Sequence, residues 1–139
     1  DVYGGMYQWN ELMQYVVTPG AQGICPTDWH IPTDNEWTAL TFYLGGASIA
    51  GGKMKETGTT HWASPNTGAT NSSGFTALPG GWRDLNGLFY ELTESGSFWE
   101  SLQDGSTAAW CRYIYNNSVI LNRWSYYKTY GWYVRCLKN

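Results

Sequence analysis

The chain has 139 residues, of which 42% are hydrophobic, 17% aromatic and only 14% charged; this suits one domain that buries its own core and argues against long exposed helices. Net charge is −3, with all eleven acids in residues 1–104 and five of the eight bases, but no acid, in residues 105–139. A basic tail this thin on an acidic body is a poor electrostatic footprint for nucleic acid, and no run of apolar residues is long enough to enter a membrane.

Asp1 opens the chain without the basic and apolar regions of a signal peptide, so the expectation is a piece of a longer, exported protein. Residues 3–16, YGGMYQWNELMQYV, space Met6, Trp9, Leu12 or Met13, and Val16 as the stripe of an amphipathic helix, which Pro19 and Gly20 would stop. A second helix is better marked. Thr33 with Glu36 forms a capping box, Trp37, Leu40 and Leu44 give the apolar face, and Gly45-Gly46 closes the end. Residues 47–104 then lose periodicity in glycine, serine, threonine and asparagine, with apolar islands at 75–78, 88–90 and 97–99. This predicts long ordered loops and short strands, with Trp62, Trp82 and Trp99 as buried anchors. The tail alternates. Trp110, Arg112 and Ile114 share one strand face and Cys111, Tyr113 and Tyr115 the other; Asn116-Asn117-Ser118 turns, and Val119 to Trp124 returns. The closing run GWYVRCLKN sets Trp132, Val134 and Cys136 on one face of a last strand and Tyr133, Arg135 and Leu137 on the opposite one.

Signatures of catalysis are missing. Gly51-Gly52-Lys53 lacks the first glycine and the following hydroxyl of a phosphate loop. Asp28, His30, Asp34 and Glu36 are close in sequence, but Asp34 and Glu36 are better explained as first-turn acids of the second helix. No GxSxG occurs, no cysteine pairs recognisably with a histidine, and Glu91, Glu94, Glu100 and Asp104 have the default reading of solvated loop acids rather than a glycosidase pair. Cys25, Cys111 and Cys136 allow three alternative single bridges, or three reduced buried thiols, and their spacing disfavours zinc. No metal or cofactor is called for.

Recognition chemistry, in contrast, is dense. Nine aromatics fall between Trp110 and Tyr133. If the strand pair hides only one face, several must point outward, and tyrosine and tryptophan among asparagine and serine make efficient contact surfaces because stiff rings lose little entropy. Trp110 and Trp132 are expected in the core, and Tyr126 and Tyr127, being adjacent in an extended segment, cannot both be buried.

The segments YGGMYQWNE, GICPTDWHIPTDNEWTAL, GGKMKETGTTHW, TNSSGFTALPGGWR and YGWYVRCLKN, in that order, resemble the Fibrobacter succinogenes major paralogous domain over nearly the whole chain. That resemblance implies an α+β, C-type-lectin-like fold: two helices on a small twisted antiparallel sheet, long ordered loops, neighbouring chain ends, and a single domain over 1–139. It also implies a Cys25–Cys136 bridge, leaving Cys111 as the spare thiol. Some proteins of this type look like the variable products of diversity-generating retroelements, whose mutated C-terminal segment would correspond here to residues 110–133. By that likeness Cys111, Tyr113, Tyr115, Val119, Leu121, Trp124, Tyr126, Tyr127, Tyr130 and Tyr133 are the candidate ligand-facing positions. The calcium-site tripeptides of sugar-binding C-type lectins are missing, and neither Cys111 nor Cys136 sits in a match to the formylglycine-generating enzymes that share the broad fold. The resulting expectation is a recognition domain, not an enzyme, on a bacterial cell surface or phage virion, binding a protein or carbohydrate on another surface. The alternative is an adhesive module that self-associates.

Overall fold

Glu36 closes the capping box that its spacing predicts. In the computed structural model, which describes residues 2–139, its backbone N–H donates to Thr33 Oγ1 at 3.3 Å and its carboxylate accepts the Thr33 N–H at 2.8 Å. Helix α2 (Asp34–Tyr43) starts there, buries Trp37, and is terminated by Gly45 and Gly46 at φ 96° and 101°, backbone that glycine adopts without strain.

The first predicted helix shrinks to one turn, α1 (Trp9–Leu12). Trp9, Leu12 and Met13 are sealed in the core as the stripe implies, but Val16 is exposed. Two backbone facts override the periodicity. Tyr7 exchanges both main-chain hydrogen bonds with Trp132 at 2.8 and 3.1 Å, holding the segment before the turn extended. Gln14 and Tyr15, at φ 51° and 61°, then end the turn.

A third helix, α3 (Ala47–Met54), beyond the two that the resemblance implies, lies where the loss of periodicity predicts long loops and short strands. Its glycines disguise it, since Gly51 and Gly52 cost helix propensity. Packing explains them: a Cβ at Gly51 would stand 2.6 Å from the Ile120 carbonyl oxygen, and one at Gly52 would stand 2.6 Å from that of Gly68.

β1 (Trp29–His30) pairs with β7 (Leu137–Lys138), β2 (Trp82–Arg83) with β3 (Phe89–Tyr90), and β4 (Ser95–Asp104), β5 (Ala108–Tyr115) and β6 (Asn122–Tyr127) form an antiparallel sheet in that order. Its register places Cys111 between Trp99 and Trp124. The strands of the tail are shifted from their expected bounds: the partner of β5 runs Asn122–Tyr127 rather than Val119 to Trp124, and the expected last strand over 131–139 shrinks to Leu137–Lys138, with Trp132 and Tyr133 both buried. Adjacent β4 residues enter different cores: Phe98 joins Trp37, Met54, Trp62, Ile114 and Leu121, and Trp99 joins Trp9, Leu12, Ile31, Cys111 and Trp132. The sheet is therefore covered on both faces, which overturns the premise that the tail hides only one.

Cys25 and Cys136 form the disulfide, with Cα atoms 5.9 Å apart, so the pairing implied by the resemblance holds and the three-way ambiguity of the thiols is resolved. By the chain-entropy account, a bridge across 111 positions restrains the unfolded chain by roughly 4–5 kcal/mol. The free thiol of Cys111 is buried and donates to the Trp124 carbonyl at 3.1 Å. Trp62 and Trp99 anchor loops as predicted, their indole N–H groups donating to the carbonyls of Ala77 and Tyr7, both at 2.9 Å, whereas Trp82, expected as a third buried anchor, is only half-buried.

The charge asymmetry is used inside the fold. Arg112 and Arg123 both donate to Asp34 Oδ1, at 2.8 and 2.6 Å, tying α2 to the sheet. Arg123 also lies 3.6 Å over the ring of Trp110, which is half-buried rather than core. Lys128 and Arg135 sit over the rings of Trp9 and Phe75. His30 and Glu36 contact each other at 2.9 Å, and Asp34 is taken by the arginines, so the acidic and histidine cluster near α2 is a set of structural pairs.

Candidate recognition surface

Burial sorts the ten candidate positions. Four turn inward. Cys111 and Leu121 are sealed, and Tyr133 is buried with its hydroxyl donating to the Gly80 carbonyl at 3.1 Å. Burial holds the Tyr133 phenol protonated, its pKa pushed up to about 12. Val119 is half-buried against Gly52 and Gly68, where added Cβ atoms would stand 3.2 and 2.4 Å from its Cγ1. These four offer a ligand little or no surface, because the turn after β5 is pressed onto α3 and Tyr133 is held beside β4 by main-chain hydrogen bonds to Ser97 and Trp99 at 3.1 and 2.9 Å.

The other six form one aromatic surface. Trp124 and Tyr127 are 60% and 59% exposed, and Tyr113, Tyr115, Tyr126 and Tyr130 are half-buried. Trp124, Tyr126, Tyr127 and Tyr130 line an open groove of about 390 Å³ along β6. Tyr126 packs on the buried Trp132 with ring centroids 4.9 Å apart, so it has the core beneath it and the groove above.

Beside the groove is a small pit of about 50 Å³, walled by Tyr113, Tyr115, Tyr126, Trp82 and Trp132 and carrying Glu91 and Ser97. Tyr113 meets Trp132 edge to face, at 6.5 Å and 82°, so the pit is walled by ring faces at mixed angles. Burial first, and the charge of Glu91 second, push the Tyr115 phenol up to about 12. The buried indole N–H of Trp132, one of the pit's walls, has no partner among the described residues.

Two contributors escape a reading of the tail alone. The β2–β3 hairpin stacks Trp82 against Tyr90 at 4.7 Å and against Tyr130 at 5.4 Å, and so extends the aromatic surface across some forty residues of sequence. Beyond the stack its tip exposes Leu85 and Leu88, with exposed Phe89 next to them on β3. The apolar island at 88–90 is visible in the sequence, but nothing local says that it docks on the tail.

Lys55 is the other, and it works from below. Its ammonium donates to the carbonyls of Thr67, Tyr115, Asn116 and Ser118 at 2.9–3.4 Å, gathering the turn between β5 and β6 around one buried cation. Burial lowers its pKa to about 8, so at neutral pH the group is still mostly charged and donates with all its protons.

Two of the four tail-side acids, Glu91 and Glu100, lie apart. Glu91 borders the pit, whereas Glu100 is sealed against Arg112, which alternation places on the opposite sheet face. Among the described residues no group of three histidine, cysteine, aspartate or glutamate side chains is arranged to hold a metal ion, and no helix is long and apolar enough to cross a membrane.

A family model described as the Fibrobacter succinogenes major domain matches residues 1–138. Neither the curated proteins nor the solved structures include a match to this chain.

Proposed function

We propose that this chain, which belongs to the Fibrobacter succinogenes major domain family, is a recognition domain that binds a protein or carbohydrate through the aromatic surface of β5, β6 and the β2–β3 hairpin. The observation that carries this reading is the exposure of Trp124 and Tyr127, 60% and 59%, on a strand whose neighbours are fixed by two cores. Large rings held in place by rigid structure are what binding hot spots require, since little entropy remains to be lost on contact. The rest of the proposal is a C-type-lectin-like fold, an extracellular setting on a bacterial surface or phage virion, and diversification of residues 110–133 by a retroelement. On this arrangement the variable positions would be Tyr113, Tyr115, Trp124, Tyr126, Tyr127 and Tyr130, carried by a framework that includes Lys55 and the glycines of α3.

No reaction is assigned to the chain. Cys136 is bridged to Cys25 and Cys111 is sealed, which supports binding over a formylglycine-generating role. The test is binding of the labelled chain to bacterial cells and to arrayed glycans, wild type against Trp124→Ala/Tyr127→Ala. Selective binding by the wild type that the double variant loses is the expected result; equal binding by the two removes the surface from consideration.

A second reading rests on the exposed Leu85, Leu88 and Phe89 at and beside the hairpin tip, apolar side chains suited to self-association. Sedimentation separates the two: a monomer at micromolar concentration leaves the surface to a foreign ligand, and a dimer dispersed by Phe89→Ser assigns the tip to a sister copy.

A further inference from the structure

Glu91 has a carboxylate in a place that should favour a positive charge. Its backbone, at φ 56°, is pinned where its carbonyl accepts the N–H groups of Glu94 and Ser95 at 2.9 and 3.0 Å. The side chain therefore projects from a rigid turn at the start of β4. Its side-chain hydrogen bond is a long one, with the Tyr115 hydroxyl as donor at 3.5 Å, and among the described residues it is in no ion pair. No base lines the pit it borders, while four of the five tail bases are engaged with acids or rings elsewhere.

The surrounding rings add to the same preference. Five aromatic residues, Tyr113, Tyr115, Tyr126, Trp82 and Trp132, line one hollow, and a cation there is attracted by the negative faces of such rings. The phenols of Tyr113, Tyr115 and Tyr126 are all held up by burial, with the Glu91 charge contributing. At about 50 Å³ the hollow has room for a few water-sized groups, hence for a charged head and not for a sugar ring or a length of peptide.

We propose that this pit receives an alkylammonium group of the ligand, paired with the Glu91 carboxylate and resting against the half-buried rings of Tyr113, Tyr115 and Tyr126. The inference depends on the recognition reading above and specifies one part of its chemistry. A primary ammonium, as at the end of a lysine, and a quaternary ammonium share that chemistry and differ in how they fill the space.

The test uses the whole chain and three probes, n-butylammonium, choline, and 3,3-dimethylbutan-1-ol, the neutral counterpart of choline. Binding is followed through the indole N–H signals of Trp82 and Trp132 in proton–nitrogen correlation spectra. At least one cation should shift them saturably, with the neutral alcohol about tenfold weaker or worse. A larger response to n-butylammonium indicates a lysine-like group, and a larger response to choline indicates a quaternary one. Glu91→Gln should weaken the cation by roughly tenfold without changing the melting temperature. The proposal is overturned if the alcohol binds as well as the cations, if no probe shifts the signals, or if Glu91→Gln binds choline and n-butylammonium as the wild type does. If Glu91→Gln fails to fold, the comparison of cation with alcohol on the wild type decides alone. Trp124→Ala/Tyr127→Ala lies outside the pit and should keep the probe response while losing the whole ligand. Failure of the probes with that loss retained removes the pit and spares the surface; the reverse spares the pit.

Discussion

The ammonium of Lys55 donates to the Ser118 carbonyl at 2.9 Å, across 63 positions of sequence. A charged group from the end of α3 thus holds the far side of the turn from which the aromatic strand β6 departs. Bound also to Thr67, Tyr115 and Asn116, Lys55 makes the turn a fixed support rather than a mobile loop.

Replacing Lys55 by methionine, which fills similar space, strands those carbonyls in a buried site. At about 1–3 kcal/mol for each buried group left unpaired, partly relieved by water, a total loss of about 3 kcal/mol or more is expected. Thermal melting of Lys55→Met checks this, and a fall of only a degree or two would mean that the carbonyls find other donors.

Gly51→Ala should destabilise although alanine is the better helix former. The propensity gain is about 1 kcal/mol, but the added methyl meets the backbone oxygen of Ile120 at 2.6 Å, and backbone cannot rotate aside. A net loss of about 1–3 kcal/mol in denaturant unfolding is the expected outcome. Stabilisation would show that the turn does not rest on α3.

Exposed and half-buried rings of the candidate surface should separate by their effect on stability. Trp124→Ala and Tyr127→Ala should each change unfolding free energy by about 0.5 kcal/mol or less. Tyr126→Ala removes a ring packed 4.9 Å from Trp132 and should cost about 2 kcal/mol. Equal effects at the three positions would place Trp124 and Tyr127 in the core.

Glu100 gives the fold an unusual pH response. Burial, with the neighbouring Asp34 charge, outweighs Arg112 and raises its pKa from 4.5 to about 7. The folded state then holds the proton more tightly than the unfolded chain, so between pH 4.5 and about 7 stability falls as pH rises. Asp34 and Glu36 act oppositely: both are lowered, Asp34 by Arg123 and the other groups bonded to it and Glu36 by Thr33 and His30, against some burial. Their stabilisation is complete above the ordinary carboxylate range and is lost as pH drops through the lowered values. Melting temperature should therefore peak at mildly acidic pH, and Glu100→Gln should flatten the decline above the peak. A melting temperature that rises steadily from pH 5 to 7.5 would contradict this.

Local chemistry was legible in the sequence wherever one segment decides its own structure. Thr33 and Glu36 announce α2 because both partners of the capping box lie within one turn, and the alternation from Trp110 to Tyr115 reports β5 correctly because strand sidedness is a property of consecutive residues. The helix expected over residues 3–16 failed because Tyr7 pairs with Trp132, a partner that its own spacing cannot reveal. α3 was hidden for the converse reason. Its mid-helix glycines read as loop until Ile120 and Gly68 are seen pressed against them.

By itself the sequence determined the inventory: a dense set of tyrosines and tryptophans in the tail, the capped helix, the strand alternation and, through five ordered segments, the family. Which rings face outward was a decision of the tertiary structure. Periodicity assigns a residue to a side of its strand but cannot say whether another element covers that side. Here both sides carry a core layer, α2 and α3 on one and the Trp9 and Trp132 layer on the other, and the tail rings reach solvent at the β6 groove and at the pit beside the β2–β3 hairpin.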